Sequence, residues 1–266
     1  MKDLILLKIG GSICTEKSAG KFKVKEKTVK SIAEEIAGAR SHREFRLLVV
    51  NGAGPFGHVN VTNYDIDNGL RKPRDWEGYA KTVCDCSYVN YAVSEALRKS
   101  GLLSIPYPSS GVIVQSGKKI ISFYIDVIKR LWEQNYEIVP VMNGTMVPDL
   151  KLRGSAMSGD AVIEYLAKKL DVNMAIFATD VDGIYTADPK KNEKAKLIDV
   201  ITRANFEEIK SGITGSSNVD VTGGMLGKVE KLISLRVKTI VINGNIPGRV
   251  RDALLGREVE GTVINP

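Results

Sequence analysis

Residues 4–12 read Leu4-Ile5-Leu6-Leu7-Lys8-Ile9-Gly10-Gly11-Ser12, an apolar run broken by one lysine and stopped by two glycines. Such a run reads as a buried strand entering a turn. Lys8 is the unusual member, because an ionised lysine near the end of a buried strand requires a compensating anion. Glycines at a strand end let backbone N–H groups converge on a phosphate oxygen, since no Cβ blocks the approach. A second lysine, Lys17, follows a few residues on. The pattern is neither a Walker A loop nor a GxGxxG fingerprint.

Similar apolar runs recur at Leu47–Val50, Ile138–Met142, Met174–Ala178 and Thr239–Ile242. Between them, Lys27–Ala39, Tyr79–Lys99 and Ala161–Leu170 carry apolar residues every three or four positions, as helices covering a mainly parallel sheet should. The alternation predicts an α/β fold, a three-layer αβα sandwich with a mainly parallel central sheet and right-handed crossovers. No fixed-period repeat or low-complexity linker divides the chain, so residues 1–266 are expected to form one compact unit. Lys210–Gly224, rich in Gly, Ser, Thr and Asn, is expected to be a flexible loop leading into a helix at about Met225.

With 266 residues, 43% of them hydrophobic and 26% charged, the chain can bury a sizeable core, which argues against disorder. No stretch approaches the roughly 20 apolar residues of a membrane helix, and Met1–Ile9 runs into a strand pattern instead of a signal peptide. A soluble cytoplasmic protein is expected. Cys14, Cys84 and Cys86, with only two histidines, give no plausible zinc site, and the thiols of Cys84 and Cys86 should point to different faces of one helix. They read as ordinary core or surface residues. The 38 Lys+Arg against 31 Asp+Glu give a formal charge of +7, which favours an anionic partner. Nucleic acid is disfavoured, because basic residues such as Lys190, Lys191, Lys194 and Lys196 are dispersed and no reading helix or aromatic stacking motif accompanies them.

Four further clusters join the first. Asn51-Gly52-Ala53-Gly54-Pro55-Phe56-Gly57-His58 ends the second strand, its glycines forming a surface for an anion and His58 closing the loop with a titratable donor. His42, in a polar connector, reads as a surface residue. Ser158-Gly159-Asp160 opens a helix and sets a carboxylate at its N-terminus, although capping alone would explain it. Thr179-Asp180-Val181-Asp182-Gly183-Ile184-Tyr185 directly follows a strand and could be a simple Asp-Gly turn. Asp220-Val221-Thr222-Gly223-Gly224-Met225-Leu226-Gly227-Lys228 places a lysine one turn inside a helix, whose start offers N–H groups to phosphate.

In this order the five clusters resemble the amino acid kinase family, which includes acetylglutamate, carbamate, glutamate and uridylate kinases; within it they look like the isopentenyl phosphate kinases. The likeness runs from Lys8 to the closing Glu260, Gly261 and Thr262 and includes Ala253-Leu254-Leu255-Gly256. It implies phosphoryl transfer from ATP to isopentenyl phosphate, a step of isoprenoid precursor synthesis, with Mg²⁺ bridging the ATP oxygens. Lys8, Gly10, Gly11 and Lys17 would embrace the β- and γ-phosphates, with Lys228 and Gly224 on the other side of the transferring group. Asp160 would hold Lys8 and Lys228 in place and would not act as a base, since the acceptor is already an anion. Gly52, Ala53, Gly54, Gly57, His58 and Gly159 would receive the acceptor's phosphate, and Asp180, Asp182, Gly183 and Tyr185 would line the nucleotide side. The resemblance also implies a homodimer, an acceptor-binding lobe over about 1–170 and a nucleotide-binding lobe over about 171–266.

Three positions depart from the family's pattern: Asn51 stands where histidine or glycine is usual, Pro55 replaces a small residue, and Thr145 replaces an aspartate. They bear on which acceptor is used. A kinase of another small phosphate or phosphonate such as fosfomycin is the alternative within the fold. A non-catalytic nucleotide sensor is the alternative outside catalysis, disfavoured by the joint presence of Lys8, His58, Asp160 and Lys228. A prenyl tail would need an apolar lining, expected within Val83–Val93 and Ser109–Val114.

Overall fold

The structure, a computed structural model, describes residues 2–18, 21–214 and 224–265; at 18, 212–214, 224–226 and 228 it describes the backbone alone. The opening apolar run forms β1 (Leu4–Ile9), which lies inside an eight-stranded sheet. It pairs in parallel with β4 (Arg46–Asn51) on one side and β11 (Met174–Thr179) on the other. Beyond β4 come β8 (Val139–Asn143) and β5 (Ser104–Pro106), both parallel. Beyond β11 come β13 (Thr239–Asn243), β14 (Thr262–Asn265) and β12 (Val200–Thr202), with β13 and β14 antiparallel to each other.

Period-two alternation along β1 sends its side chains into two cores. Ile5, Leu7 and Ile9 pack with Ile13 of α1 (Gly11–Cys14), Ile32 and Ile36 of α2 (Glu26–Arg40), Val89 and Val93 of α4 (Pro73–Lys99) and Val250 and Leu254 of α9 (Arg249–Leu254). Leu4 and Leu6 pack on the opposite face with Ile128 and Trp132 of α5 (Asp126–Gln134), Val162 and Leu166 of α6 (Gly159–Lys169) and Val229 and Leu232 of α8 (Gly224–Ser234). This is the expected three-layer sandwich, and each aliphatic side chain it buries contributes about 1.5–3 kcal/mol. Lys8 continues the Leu4–Leu6 series on the second face, at the end of the strand where the core gives way to the loops.

A second, four-stranded sheet was not expected. Its order is β10 (Arg153–Met157), β9 (Thr145–Asp149), β6 (Ile113–Ser116), β7 (Lys119–Phe123), and its strands are too short and mixed in polarity to show a clear period. A hairpin of β2 (Thr15–Ser18) and β3 (Lys21–Val24) was also missed. The helix expected at Tyr79 begins earlier, at Pro73, where the Asp75 carboxylate accepts the Arg71 and Lys72 N–H groups at 2.6 and 2.9 Å. The flexible loop expected over Lys210–Gly224 is corrected at its start, because Lys210 to Thr214 are the end of α7 (Phe206–Thr214). Residues 215–223 lie outside the described residues, and α8 opens at Gly224, close to the expected Met225.

Cys84 is exposed and Cys86 buried, as their spacing on a helix requires. Burial pushes the Cys14 and Cys86 thiols up to about 12, which leaves both protonated and unreactive at neutral pH. Among the described residues no helix is long and apolar enough to cross a membrane.

Candidate active site

The sheet register gathers the sequence clusters at one edge. Ile9 lies level with Asn51 and Ala178, Asn51 with Asn143, and Thr179 with Asn243. Gly10, Gly52, Gly144 and Asp180 therefore all follow strand C-termini on the same edge, where open parallel sheets bind their ligands.

The two glycine runs touch each other. A Cβ on Gly11 would sit 2.4 Å from the Gly54 nitrogen, and one on Gly52 would sit 2.5 Å from the Gly11 nitrogen. Gly54 has φ +54°, and a Cβ there would meet the Thr15 Oγ1 at 2.2 Å while that hydroxyl donates to the Gly11 carbonyl at 2.6 Å. Backbone contact between the loops, as well as ligand approach, thus demands glycine here. Some of the expected phosphate donors are already engaged: the N–H groups of Gly10 and Gly52 donate to the Ala178 and Ile9 carbonyls, each at 2.8 Å.

His58 does not close a loop. Gly54 is the N-cap of α3 (Pro55–Asn63) and Pro55 takes its first turn, so Phe56, Gly57 and His58 are already helical. The side chain of His58 is exposed, and its N–H donates to the Gly54 carbonyl at 3.1 Å. A strand-ending glycine run hid this start because glycine reads as turn, whereas proline after it pre-sets a helical φ.

Lys8 finds its anion within the protein. Its ammonium lies 2.6 Å from Asp160 Oδ1, with the lysine side chain 16% and the aspartate 42% exposed. That oxygen has no further hydrogen-bond partner among the described residues. Ser158 caps α6, its hydroxyl accepting from the Ala161 N–H at 3.2 Å. A Cβ on Gly159 would press on Val50 Cγ1 at 3.1 Å, and one on Gly144 would sit 2.9 Å from the Gly159 nitrogen. These glycines let the helix start settle on the ends of β4 and β8, and that contact carries Asp160 to Lys8. The positive end of α6 and the Lys8 ammonium then face the same edge as the glycine loops. Lys17 is exposed on β2, level with Phe22. Gly224 and the backbone of Lys228 open α8, and the Lys228 side chain lies outside the described residues, as does 220–223.

On the other side of β1, Asp182 is held by the Arg249 guanidinium, by Asn243 Nδ2 at 3.3 Å and by the Tyr185 hydroxyl at 3.1 Å. Burial opposes its ionisation, but these donors outweigh it and keep the carboxyl below its usual range, while burial and Asp182 together raise the Tyr185 phenol. Asp180 is likewise kept low despite burial, chiefly by the Lys190 ammonium. Gly183 lets the chain pass the tail: a Cβ there would sit 2.5 Å from Thr262 Oγ1, which accepts from the Ile184 N–H and donates to the Ile198 carbonyl, both at 2.7 Å. Arg249 and Asn243 escaped the sequence reading, since nothing local marks partners more than sixty residues from Asp182, and Lys190 read only as one of several dispersed surface lysines.

The residues of the expected tail lining fall into different clusters. Val89, Val93 and Ile113 are buried in the two main cores. Val83 instead joins a third, small cluster with Ile66, Leu70 and Met146, flanked by Val61, Tyr64 and Tyr79.

The profile of the amino acid kinase family matches residues 3–252. The isopentenyl phosphate kinase of Methanothermobacter thermautotrophicus is 35% identical over 98% of both chains, and that of Methanocaldococcus jannaschii is 32% identical over the same shares. A solved isopentenyl phosphate kinase, 32% identical, superposes with a TM-score of 0.83 over 98% of this chain and all of its own. With the fold, the order of the loops and nearly the whole length in agreement, the chain belongs to the amino acid kinase family, on its isopentenyl phosphate kinase branch.

Proposed function

We propose that the protein transfers the γ-phosphoryl of ATP to isopentenyl phosphate, giving isopentenyl diphosphate and ADP. The observation that carries this reading is the Lys8–Asp160 pair, set at the junction of two touching glycine loops in a chain related over its full length to isopentenyl phosphate kinases. The part before about residue 170 takes the acceptor on Gly52, Ala53, Gly54, Gly57, His58 and Gly159. The part after it takes the nucleotide beside Asp180, Asp182, Gly183 and Tyr185.

An acceptor phosphate monoester is an anion at neutral pH, so its oxygen attacks the γ-phosphorus in line without a general base. What the protein supplies is position and charge. Asp160 fits the part of positioning residue, because its carboxylate is committed to Lys8. Lys8, with Lys17 and Lys228, neutralises the oxygens of the transferring group, and the exposed His58 on the first turn of α3 donates to the acceptor. Mg²⁺, when bound, offsets charge on the ATP oxygens. We also propose a cytoplasmic homodimer acting on small molecules.

A coupled assay of ADP release tests the acceptor, with isopentenyl phosphate, dimethylallyl phosphate and fosfomycin in parallel. Isopentenyl phosphate should give the highest kcat/KM. Faster turnover of fosfomycin would move the protein to the phosphonate reading, for which Asn51, Pro55 and Thr145 are the relevant departures.

A further inference from the structure

Behind the acceptor loop lies a set of buried polar side chains that phosphoryl transfer does not itself require. Asn51 closes β4 and Asn90 sits in the middle of α4, and they are 0% and 1% exposed. An asparagine inside a buried helix face is disfavoured both by propensity and by the desolvation of its amide, unless both N–H groups find acceptors. Asn90 Nδ2 meets this condition by donating to Asn51 Oδ1 at 3.0 Å and to the Val141 carbonyl at 2.9 Å. One amide thereby ties α4 to the C-terminal ends of β4 and β8.

The backbone around Asn51 is equally constrained. Its carbonyl accepts from the Gly144 N–H at 3.1 Å, and the next residue, Gly52, donates to Ile9 at 2.8 Å. Height and tilt at position 51 are therefore passed directly to the loop that begins at Gly52 and, through the Gly54–Gly11 contact, to the loop after β1. Asn143 Nδ2 and Thr145 Oγ1, both buried on the neighbouring strand ends, have no hydrogen-bond partner among the described residues. The Cys86 sulfur, from α4, lies 3.5 Å from where a Cβ on Gly57 would be. The wall behind residues 52–57 thus carries polar side chains and is joined to α4, where a purely structural wall would be aliphatic.

We propose that Asn90 is a positioning residue for the acceptor: through Asn51 it fixes the Gly52–Gly54 loop against α4, and its loss weakens acceptor binding selectively while ATP binding persists. The proposal rests on the kinase reading above. Asn90 does not touch substrate, and its effect runs through the geometry of the loop, where misplacement by an ångström lowers rate steeply.

The test is steady-state kinetics with isopentenyl phosphate and ATP varied separately, on the full chain, for wild type, Asn51→Ala, Asn90→Ala, the double variant and the milder Asn90→Ser. Acceptor KM should rise about tenfold or more in each single variant, KM for ATP should stay within about twofold, and the double variant should be no worse than the poorer single one. Titration calorimetry of ATP alone shows whether a variant is folded and keeps its nucleotide site. Equal rises in both KM values, an unchanged acceptor KM in Asn90→Ser, or additive losses in the double variant would overturn the proposal. Should wild type itself fail to phosphorylate isopentenyl phosphate, the fault would lie with the proposed function instead, and the two failures are separable.

Discussion

At Lys8 a rule about buried charge and a rule about phosphate binding meet. The strand pattern alone shows that this lysine needs an anion, and the structure supplies Asp160 at 2.6 Å. Sequence could place both residues in a family order but could not pair them, because the contact depends on Gly144 and Gly159 letting α6 down onto the strand ends. Replacing Lys8 by Ala should lower kcat about 10²-fold or more with smaller changes in KM, since it removes charge from the transferring group. Single-turnover transfer within a few-fold of wild type would show that the role is misassigned. His58 calls for a finer comparison. On the first turn of α3 it can offer an N–H to the acceptor, so His58→Ala should turn over more slowly than His58→Gln, and both more slowly than wild type at saturating ATP. Equal rates for all three would return His58 to an ordinary surface residue.

Among the elements, strands with a clear period were legible: β1, β4, β8, β11 and β13 lie within a residue or so of their expected bounds. The second sheet was not, because its order depends on pairings between distant short strands and on a single carboxylate. Asp149, 2% exposed, accepts from the N–H groups of Gly117 and Lys118 at 2.8 Å, of Lys151 at 2.9 Å and of Leu152 at 3.0 Å, and from the Ser155 hydroxyl at 2.8 Å. Burial alone would raise its pKa, but the Lys118 N–H, the Ser155 hydroxyl and the other donors prevail and hold it well below the usual carboxylate range. A depressed folded-state pKa gives stability that is present above the unfolded value of about 4 and is lost as pH falls below it. Thermal unfolding should therefore show Tm falling below about pH 4 in wild type, with a shallower fall and a lower neutral Tm in Asp149→Asn. Parallel pH profiles for the two proteins would remove Asp149 from the account. Gly54 offers a second element-scale test. Its φ of +54° and the clash an added Cβ would make with Thr15 Oγ1 mean that Gly54→Ala should destabilise the loop and cut kcat/KM for the acceptor roughly tenfold or more.

For the whole molecule, one sheet runs continuously through both halves of the chain, with β1 from the N-terminus between β4 and β11. The loops that follow β1, β4, β8 and β11 consequently share one frame, and their mutual placement is set by strand register. That arrangement was readable only as a family order in the sequence, since parallel pairing joins residues far apart in the chain, such as Ile5 and Met174. The proposed homodimer predicts a light-scattering mass near twice the 29.1 kDa of one chain at micromolar concentration, and a mass near 29.1 kDa would contradict it. Activity offers the more direct test. Phosphorus NMR of purified protein with ATP, Mg²⁺ and isopentenyl phosphate should show the monoester resonance replaced by the paired signals of isopentenyl diphosphate as ADP accumulates in equal amount. ADP and free phosphate with the monoester left intact, or no change in any resonance, would contradict transfer to a phosphate acceptor.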